Sequence, residues 1–429
     1  MTDPLLAQEI LYAGPDLRKA ARQSRIHQTP RDRLDGVRNA TAILSDVIAN
    51  RIRHRNKTRF ELVIAIGKSP DTGDKLTAAY AGPGDNRAWC LSNVFAQYEV
   101  SDRTSAKEPD DVRRLLAAAK GNVDVFFREG LAGDVFSQAG LPFVRMPAWI
   151  KQRVRVLGDW PAQIDGMRRD TRQETARILR KYRYTCHLTR NADDHANFYD
   201  RLYRPYVARR FGATAHLVER DRFLKECRRG VVLQLTLQHT VLGAALLRPV
   251  GRTMAVVWSA LDPDKEAVHL RGVTDALDYF SLLYAHLRGC RWLDLGPSRP
   301  DLCDGTLRYK AKRGAAIYPG LVPQSDIAWA CRGQSDGERD FLLRHAFLIR
   351  TAGESRSGLR AVVFVDGRTD ADAFAAKLSS ILTPGVRDYR VVALSPPNCR
   401  LKEVVKETDA NLTLVNAASY PDAMTAMKS

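Results

Sequence analysis

The sequence over residues 292–314 reads WLDLGPSRPDLCDGTLRYKAKRG, and this stretch decides the fold prediction. A short apolar strand begins the stretch and ends at Gly296 and Pro297, because proline cannot donate a hydrogen bond to a sheet ladder. A polar loop follows. Asp304 or Thr306 can then cap a short helix with a side-chain oxygen. The stretch therefore predicts a strand, a loop and a helix in close succession.

Charged side chains lie on both sides of this loop. The predicted helix carries Tyr309 and Lys310, which places a cation where loops at strand ends build binding sites in α/β proteins. Asp294 alternates with Leu293 and Leu295 in a strand that we expect to be half-buried. A carboxylate there can be a general base with a raised pKa, can orient Lys310 through a salt bridge, or can be a structural aspartate.

The length of 429 residues predicts two to four domains. With 45% hydrophobic residues the chain can build a sizeable core. No apolar run is long enough to predict a transmembrane helix. The N-terminus has an early acid and no long apolar region, so no secretory signal is predicted and we expect a cytoplasmic protein.

The formal net charge of +18 indicates anionic partners. Nucleic acid, phosphate-rich cofactors, nucleotide-linked sugars and an anionic membrane face, which would give peripheral membrane contact, all fit this charge. Solubility alone is the other explanation. The seven cysteines are scattered and form no CxxC pair, so we predict reduced thiols, no disulfide framework and no metal site.

The pattern of strands and helices divides the chain into five predicted parts. These are a basic helical N-terminal segment (1–58), an N-terminal α/β domain (59–155), a larger domain (156–330), a connector (331–357) and a C-terminal βαβαβ unit (358–429). The larger domain has the predicted order β-αα-β-β-β-α-β-α-β. An antiparallel meander followed by a helical crossover predicts a mixed sheet.

This order over residues 184–321 resembles the GNAT acyltransferase fold. The motif DLGPSRPDLCDGTLRYKAKRG (294–314) resembles the FemAB-like branch, in which a strand ends in an Asp or Phe-Gly pair, and a polar loop with Asp-Gly precedes an aromatic-Lys-x-x-x-Gly helix. FYDRLYRPYVARRFG (198–212) resembles the aromatic-rich first helix of that family. The resemblance implies a mixed α/β class: a GNAT-like sheet with crossover helices over 156–330, and a degenerate GNAT-like half over 59–155.

The resemblance also implies a function. It predicts an N-acyltransferase that moves an acyl or aminoacyl group from acyl-CoA or aminoacyl-tRNA to an amine on a small molecule, sugar or peptide, in cell-envelope or polysaccharide biosynthesis. Acyl-CoA is the expected donor on general grounds, and the positive charge supports tRNA. The alternative is a non-catalytic basic protein that binds RNA or an anionic polymer. The chain has no GxSxG elbow, so nothing supports a serine nucleophile.

The resemblance assigns candidate roles to particular residues. The catalytic candidates are Lys310, Asp294, Ser259 and Tyr279; the donor-binding candidates are Arg271, Gly272 and Thr274; the substrate-binding candidates are Asp262, Tyr309 and Asp304. In relatives the matching lysine neutralises donor phosphate or developing charge. A tyrosine on the crossover helix can protonate a leaving thiolate, although an aromatic there is also typical of a core. A glycine at a helix N-terminus suits phosphate binding.

Two positions depart from the family pattern. The crossover helix opens with HLRGVTDA (269–276), which lacks a clean [QR]xxGx[GA] signature and adds Asp275. A carboxylate there would face a pyrophosphate, which argues against CoA. Arg313 stands where an aromatic residue often precedes the last glycine, and it makes this end of the motif more basic.

Overall fold

The computed structural model describes residues 60–84, 86–106, 123–130, 142–212, 215, 217–265, 272–318, 326–333, 335–351, 358–408, 411–417 and 422–423. The predicted basic segment 1–58 and the candidate Arg271 lie outside these residues. The described residues divide into two compact units. We call residues 151–296 with 310–315 the meander unit. The two-sheet unit comprises the described residues of 50–150, 297–309 and 316–429.

The strands follow one another along the whole described chain. They are β1 Phe60–Lys68, β2 Lys75–Gly82, β3 Gln97–Ala106, β4 Val125–Glu129, β5 Val144–Pro147, β6 Ile150–Arg155, β7 Thr185–Thr189, β8 Val231–Leu237, β9 Thr240–Val250, β10 Thr253–Leu261, β11 Trp292–Ser298, β12 Ala316–Tyr318, β13 Asp326–Cys331, β14 Ala346–Arg350, β15 Leu359–Val365, β16 Tyr389–Ala393 and β17 Leu412–Asn416. Helices alternate with these strands, so the predicted mixed α/β class is confirmed.

The helices connect the strands. They are α1 Arg87–Val94, α2 Trp160–Asp165, α3 Arg169–Tyr182, α4 Ala192–Asn197, α5 Arg204–Phe211, α6 Arg220–Cys227, α7 Val273–Leu287, α8 Gly305–Ala311, α9 Asp336–Arg344, α10 Ala371–Ile381 and α11 Cys399–Glu407, with a π-helical turn Phe198–Tyr203 between α4 and α5. None of the helices in the described ranges combines the length and the apolar character that a membrane crossing requires.

The meander unit contains the mixed sheet that the sequence predicts. Its strand order is β6-β11-β10-β9-β8-β7. Strands β7 to β10 pair antiparallel, and the turn between β8 and β9 places Gln238 and His239 at positive φ, as a tight hairpin requires. Helix α7 then crosses over, and β11 pairs parallel to β10. This order of elements is the GNAT-like order that the resemblance implied.

Alternating side chains bury both faces of this sheet. Leu233 packs on one face with Phe280 of α7 and Ile178 of α3. On the other face Val232 packs with Phe223 of α6. Successive residues of a strand point to opposite faces, so each helix layer covers one side of the meander.

Apolar residues recur at helical spacing over 162–183, but the structure has two helices there, α2 and α3. Asp159 caps α2 by accepting from the N–H of Ala162, and Gly166 ends it. Arg168 is extended, at φ −56° and ψ 141°, so the chain turns before α3 begins. Helical spacing continues across the break, which is why the pattern did not reveal it.

The first sheet of the two-sheet unit has the order β3-β1-β2-β4-β13-β5. Strand β13 pairs antiparallel with both β4 and β5, although it follows them by more than a hundred residues. Its Trp329 is fully buried, with ring centroids 5.7 Å from Phe341 and 5.1 Å from Phe347. This strand begins before the predicted boundary at residue 330 and ends after it, and its apolar face completes the sheet built from residues 60–147.

The second sheet has the order β14-β15-β16-β17. Strands β15, β16 and β17 are parallel, which is the predicted βαβαβ order, and β14 pairs antiparallel with β15. The region predicted as a connector, 331–357, contains α9 and the edge strand β14. The chain becomes extended at His345, at φ −102° and ψ 160°, and this separates α9 from β14 within the largely apolar stretch FLLRHAFLI (341–349).

Asp366 follows β15, and we expect it to make the stability of this sheet depend on pH. Burial alone would raise its pKa, but hydrogen bonds from Arg339, from the backbone N–H of Arg368 and from Ser395 lower it to about 2. A depressed folded-state pKa stabilises the fold above the unfolded value of about 4, and this contribution is lost as pH falls toward about 2.

The test compares Asp366→Asn with the wild type in urea unfolding at a series of pH values. We expect the variant to be less stable at neutral pH and to lose less stability between about pH 4 and pH 2. Asp372→Asn on α10, whose carboxylate is mostly exposed, is the matched control. If the free energies of unfolding of wild type and Asp366→Asn change in parallel with pH, Asp366 is not responsible for the pH dependence.

Candidate functional site

Strands β10 and β11 separate part of the way along their length. Among the described residues their parallel pairing covers only Thr253–Ala255 with Trp292–Asp294. Both strands continue, to Leu261 and Ser298 respectively. A register shift between β9 and β10 at Val256/Trp258 accompanies the separation. The carboxyl ends of two parallel strands therefore diverge, which is a common position for ligand sites in α/β sheets.

Gly296 lies two residues beyond Asp294, the last residue of β11 that pairs with β10. Its φ of +76° is in the left-handed region that glycine tolerates best. The Asp294 Oδ1 atom accepts a hydrogen bond from the Gly296 N–H at 2.8 Å, and the Lys310 Nζ atom donates to the Gly296 carbonyl at 3.1 Å. Asp294 and Lys310 are only 5% and 8% exposed. The structure thus brings together the two leading catalytic candidates at one backbone residue.

Lys151 is a charged neighbour of this site that the sequence did not reveal. Its Nζ atom lies 3.2 Å from Asp294 Oδ2. Both oxygens of Asp294 therefore accept hydrogen bonds, one from Lys151 and one from Gly296. This arrangement fits an orienting carboxylate better than one that removes a proton. The only sequence signal was a lysine in the alternating strand 150–155.

Helix α8, which carries Lys310, is capped at both of its ends. Asp304 Oδ1 accepts from the N–H of Leu307 at 2.8 Å, which confirms a helix start at Asp304. Gly314 follows the helix at φ +77°, and its N–H donates to the Ala311 carbonyl. The Asp304 carboxylate thus has a structural task. The substrate-binding role of Asp304 and of the half-buried Tyr309 stays a prediction.

Tyr279 lies on the other side of β11. It lines a small pocket with Leu293 and Leu295, whose side chains point away from the face that carries Asp294. The tyrosine ring packs edge-on against Trp160, with centroids 5.7 Å apart. The structure therefore places Tyr279 on the face of β11 opposite Asp294, in the position of a core aromatic residue.

The two departures from the family pattern contact each other. The Arg313 guanidinium forms an ion pair with Asp275, and its Nε atom lies 3.3 Å from Asp278 Oδ2. Arg313 is 7% exposed, and burial lowers its pKa to about 10. Both carboxylates belong to α7. Arg313 therefore ties the end of the motif to the crossover helix and partly neutralises the acids there.

The donor-binding candidates surround the start of α7. Gly272 precedes the helix at φ +82°, and a Cβ atom there would lie 2.7 Å from the Ile178 side chain. This close approach explains the glycine without a ligand. Thr274 is half-buried in the first helical turn. A phosphate-binding role for either residue stays a prediction.

The remaining two candidates lie near the end of β10. Ser259 is exposed and its backbone pairs with Ala245. The Asp262 carboxylate accepts from the N–H of Asp264 at 3.0 Å and so stabilises the turn after the strand. Their predicted roles in acceptor chemistry are not tested by this geometry.

Every cysteine except the exposed Cys399 is at least partly buried, as structural thiols usually are. Burial raises the pKa of Cys227 to about 12 and that of Cys303 to about 11, which leaves little thiolate at neutral pH. Within the described ranges no group of three or more His, Cys, Asp and Glu side chains is placed to hold a metal ion.

Comparison with known proteins gives distant structural likenesses only. No family model and no curated protein matches the chain. FemX matches at 10% identity over 61% of this chain and 83% of its own, with a TM-score of 0.34. L-PGS from Bacillus licheniformis matches at 11% identity over 65% of this chain and 87% of its own, with a TM-score of 0.30. A tandem GNAT protein from the clavulanic acid biosynthesis pathway matches at 13% identity over 64% of this chain and 80% of its own, with a TM-score of 0.26. Such likenesses are too low to transfer an activity, donor or substrate.

Proposed function

We propose that this chain is an N-acyltransferase that moves an acyl or aminoacyl group to an amine. One observation carries the proposal: the buried Lys310 ammonium lies on the Gly296 carbonyl, where the two parallel strands diverge. A cation at a strand end, beside backbone groups that leave the sheet ladder, can bind a donor and stabilise negative charge.

The chemistry requires a neutral amine that attacks the donor carbonyl. A C–N bond forms, the C–S bond of a thioester or the C–O bond of an ester breaks, and a proton passes from the amine to the leaving group. The carbonyl oxygen becomes an oxyanion on the way. Lys310 would stabilise that charge, more strongly than in water because the site is buried. Asp294, held by Lys151, would fix the conformation of Gly296.

The acceptor follows from the resemblance alone. We propose an amine-bearing small molecule, sugar or peptide in cell-envelope or polysaccharide biosynthesis. Ser259 and Asp262, at the end of β10, remain the proposed acceptor contacts. Tyr279 is a poor candidate for proton transfer to a leaving group at Gly296, because it lies on the other face of β11.

Two donors remain candidates, and the α7 acids bear on the choice between them. Acyl-CoA carries a pyrophosphate, which a helix N-terminus attracts but a carboxylate in its first turn repels. Asp275 stands in that turn, and Arg313 is already paired with it. This supports aminoacyl-tRNA as the donor, although acyl-CoA is the more general donor of this fold.

We expect Asp275→Asn to tighten CoA binding roughly tenfold if CoA uses the start of α7, since one like charge is removed. The measurement is isothermal titration of CoA into wild type and variant. Asp278→Asn, one turn further along α7, is the matched control and should change the affinity less. If the two substitutions change the CoA affinity equally, the start of α7 does not bind the donor.

The function itself is tested by incubating the full chain with acyl-CoA, and separately with aminoacyl-tRNA, in the presence of a panel of primary amines. Mass spectrometry should detect an amide product with one donor class. If neither donor yields an amide while RNA or an anionic polymer shifts the melting temperature, the chain is instead a non-catalytic basic binding protein. The net charge of +18 is the observation that favours that alternative.

A further inference from the structure

Arginines cluster at the start of β11, at the opposite end of that strand from Gly296. We call this cluster the Trp292 patch. Its members come from β6, from the turn before β10, from the end of α7 and from the residue before β11: Arg153, Arg155, Arg252, Arg288 and Arg291, around Trp292. All of them belong to the meander unit.

Backbone hydrogen bonds and cation–π contacts place these segments side by side. The N–H of Val156 donates to the Arg291 carbonyl at 3.0 Å, and the N–H of Arg291 donates to the Arg252 carbonyl at 2.7 Å. The Arg153 guanidinium lies 3.9 Å from the centroid of the Trp292 ring, and that of Arg291 lies 5.8 Å from it. The segments that carry Arg153, Arg155, Arg252 and Arg291 therefore lie next to one another.

This surface has a strong positive charge. Residues 151–158, 251–256 and 288–293 contain no Asp or Glu. Arg155, Arg252 and Arg291 are exposed. The position of Arg288 at the C-terminal end of α7 suits the helix dipole, but that explains one of the cations only. The exposed Arg155, Arg252 and Arg291 carry like charges that repel each other, and an anionic partner would relieve that repulsion.

The surroundings of the patch favour nucleic acid over a lipid bilayer. Among the described residues the exposed large hydrophobic side chains are Val100, Phe211 and Leu217, and none of them belongs to the patch. The patch therefore offers no apolar group for insertion into a membrane. Trp292 is half-buried beneath Arg153, so few bases could stack on its ring. The guanidinium groups are therefore the expected contacts to a nucleic acid.

We propose that the Trp292 patch binds the phosphate backbone of a nucleic acid without sequence preference. Arginine suits this role because its planar guanidinium donates two parallel hydrogen bonds to a phosphate. The patch and Gly296 are separated by about 13 Å of strand. The inference does not depend on the proposed transferase activity, since it uses none of the groups around Lys310.

The test measures binding of labelled single-stranded RNA and DNA of mixed sequence to the full chain, by fluorescence anisotropy over a series of salt concentrations. Each phosphate contact to a single strand contributes about 0.7 to the slope of log affinity against log salt. The triple variant Arg155→Gln/Arg252→Gln/Arg291→Gln should therefore reduce the slope by about 2. RNA and DNA should behave alike.

A matched control removes the same charge elsewhere. Arg169→Gln/Arg180→Gln/Lys181→Gln alters three exposed cations of α3 and should leave the slope near that of wild type. Arg155→Lys/Arg252→Lys/Arg291→Lys keeps the charge of the patch and should keep most of the slope, which guards against a folding defect in the glutamine variant. Melting temperatures of all variants are measured alongside.

Several results would overturn the inference. One is a patch variant that binds RNA and DNA as wild type does. Another is an equal loss in the α3 control, which would show a general effect of net charge. A third is patch-dependent binding to phosphatidylglycerol vesicles with unchanged binding to RNA and DNA, which would assign the surface to a membrane.

Discussion

Replacing Lys310 by methionine is expected to lower kcat for acyl transfer by about a hundred- to a thousandfold, with a smaller change in KM. The reason is that the ammonium would act on charge that develops only as the amine attacks. Its buried position beside Gly296 makes that charge hard to replace by water. Steady-state kinetics with the donor and amine identified by product analysis provide the measurement.

The Lys310→Arg variant tests whether a positive charge at this position is sufficient or whether the shape of the lysine side chain is also required. It keeps the positive charge but replaces a compact ammonium with a planar group, so we expect intermediate activity. Lys181→Met, on the exposed side of α3, is the control for loss of a lysine and should leave kcat unchanged. If Lys310→Met lowers the melting temperature but leaves kcat intact, Lys310 only clamps the backbone of Gly296.

Replacing Arg313 by methionine is expected to lower the free energy of unfolding by about 3–5 kcal/mol. Arg313 is buried, and the side chains of Asp275 and Asp278 are 26% and 20% exposed. Its removal takes away the cation that pairs with both of these carboxylates on α7. Urea unfolding monitored by circular dichroism measures the loss.

A mutant cycle shows whether the loss comes from the charges. Arg313→Met/Asp275→Asn/Asp278→Asn removes the ion pairs and the repulsion together, so it should recover most of the stability that Arg313→Met loses. A loss below about 1 kcal/mol in the single variant would mean that the pairs behave as exposed salt bridges. No recovery in the triple variant would assign the loss to packing.

The part of the site that could be predicted from the sequence is determined by residues that lie close together in the chain. The strand that begins at Trp292, its end near Gly296 and the helix capped by Asp304 each follow from a few adjacent residues. The same holds for the hairpin of β8 and β9 and for the crossover helix. Lys310 and Asp294 could be chosen because both lie within this one motif.

The ion pairs of the site depend on long-range contacts that one sequence does not reveal. Lys151 and Asp294 are 143 residues apart, and Arg313 and Asp275 are 38 apart. The residues adjacent to each of these side chains in the sequence do not indicate its ion-pair partner. The strand β13 is a similar case, because its five consecutive apolar residues do not indicate which sheet the strand joins.

Competitive labelling of lysines with a trace amine reagent, read by peptide mass spectrometry, tests the central claim most directly. Lys310 should react about tenfold more slowly than the exposed Lys181 in the ligand-free protein, because reaction requires loss of a buried hydrogen bond. Addition of the donor should slow it further. Equal labelling rates for the two lysines would show that the Lys310 ammonium lies in open solvent and would contradict its place in a transfer site.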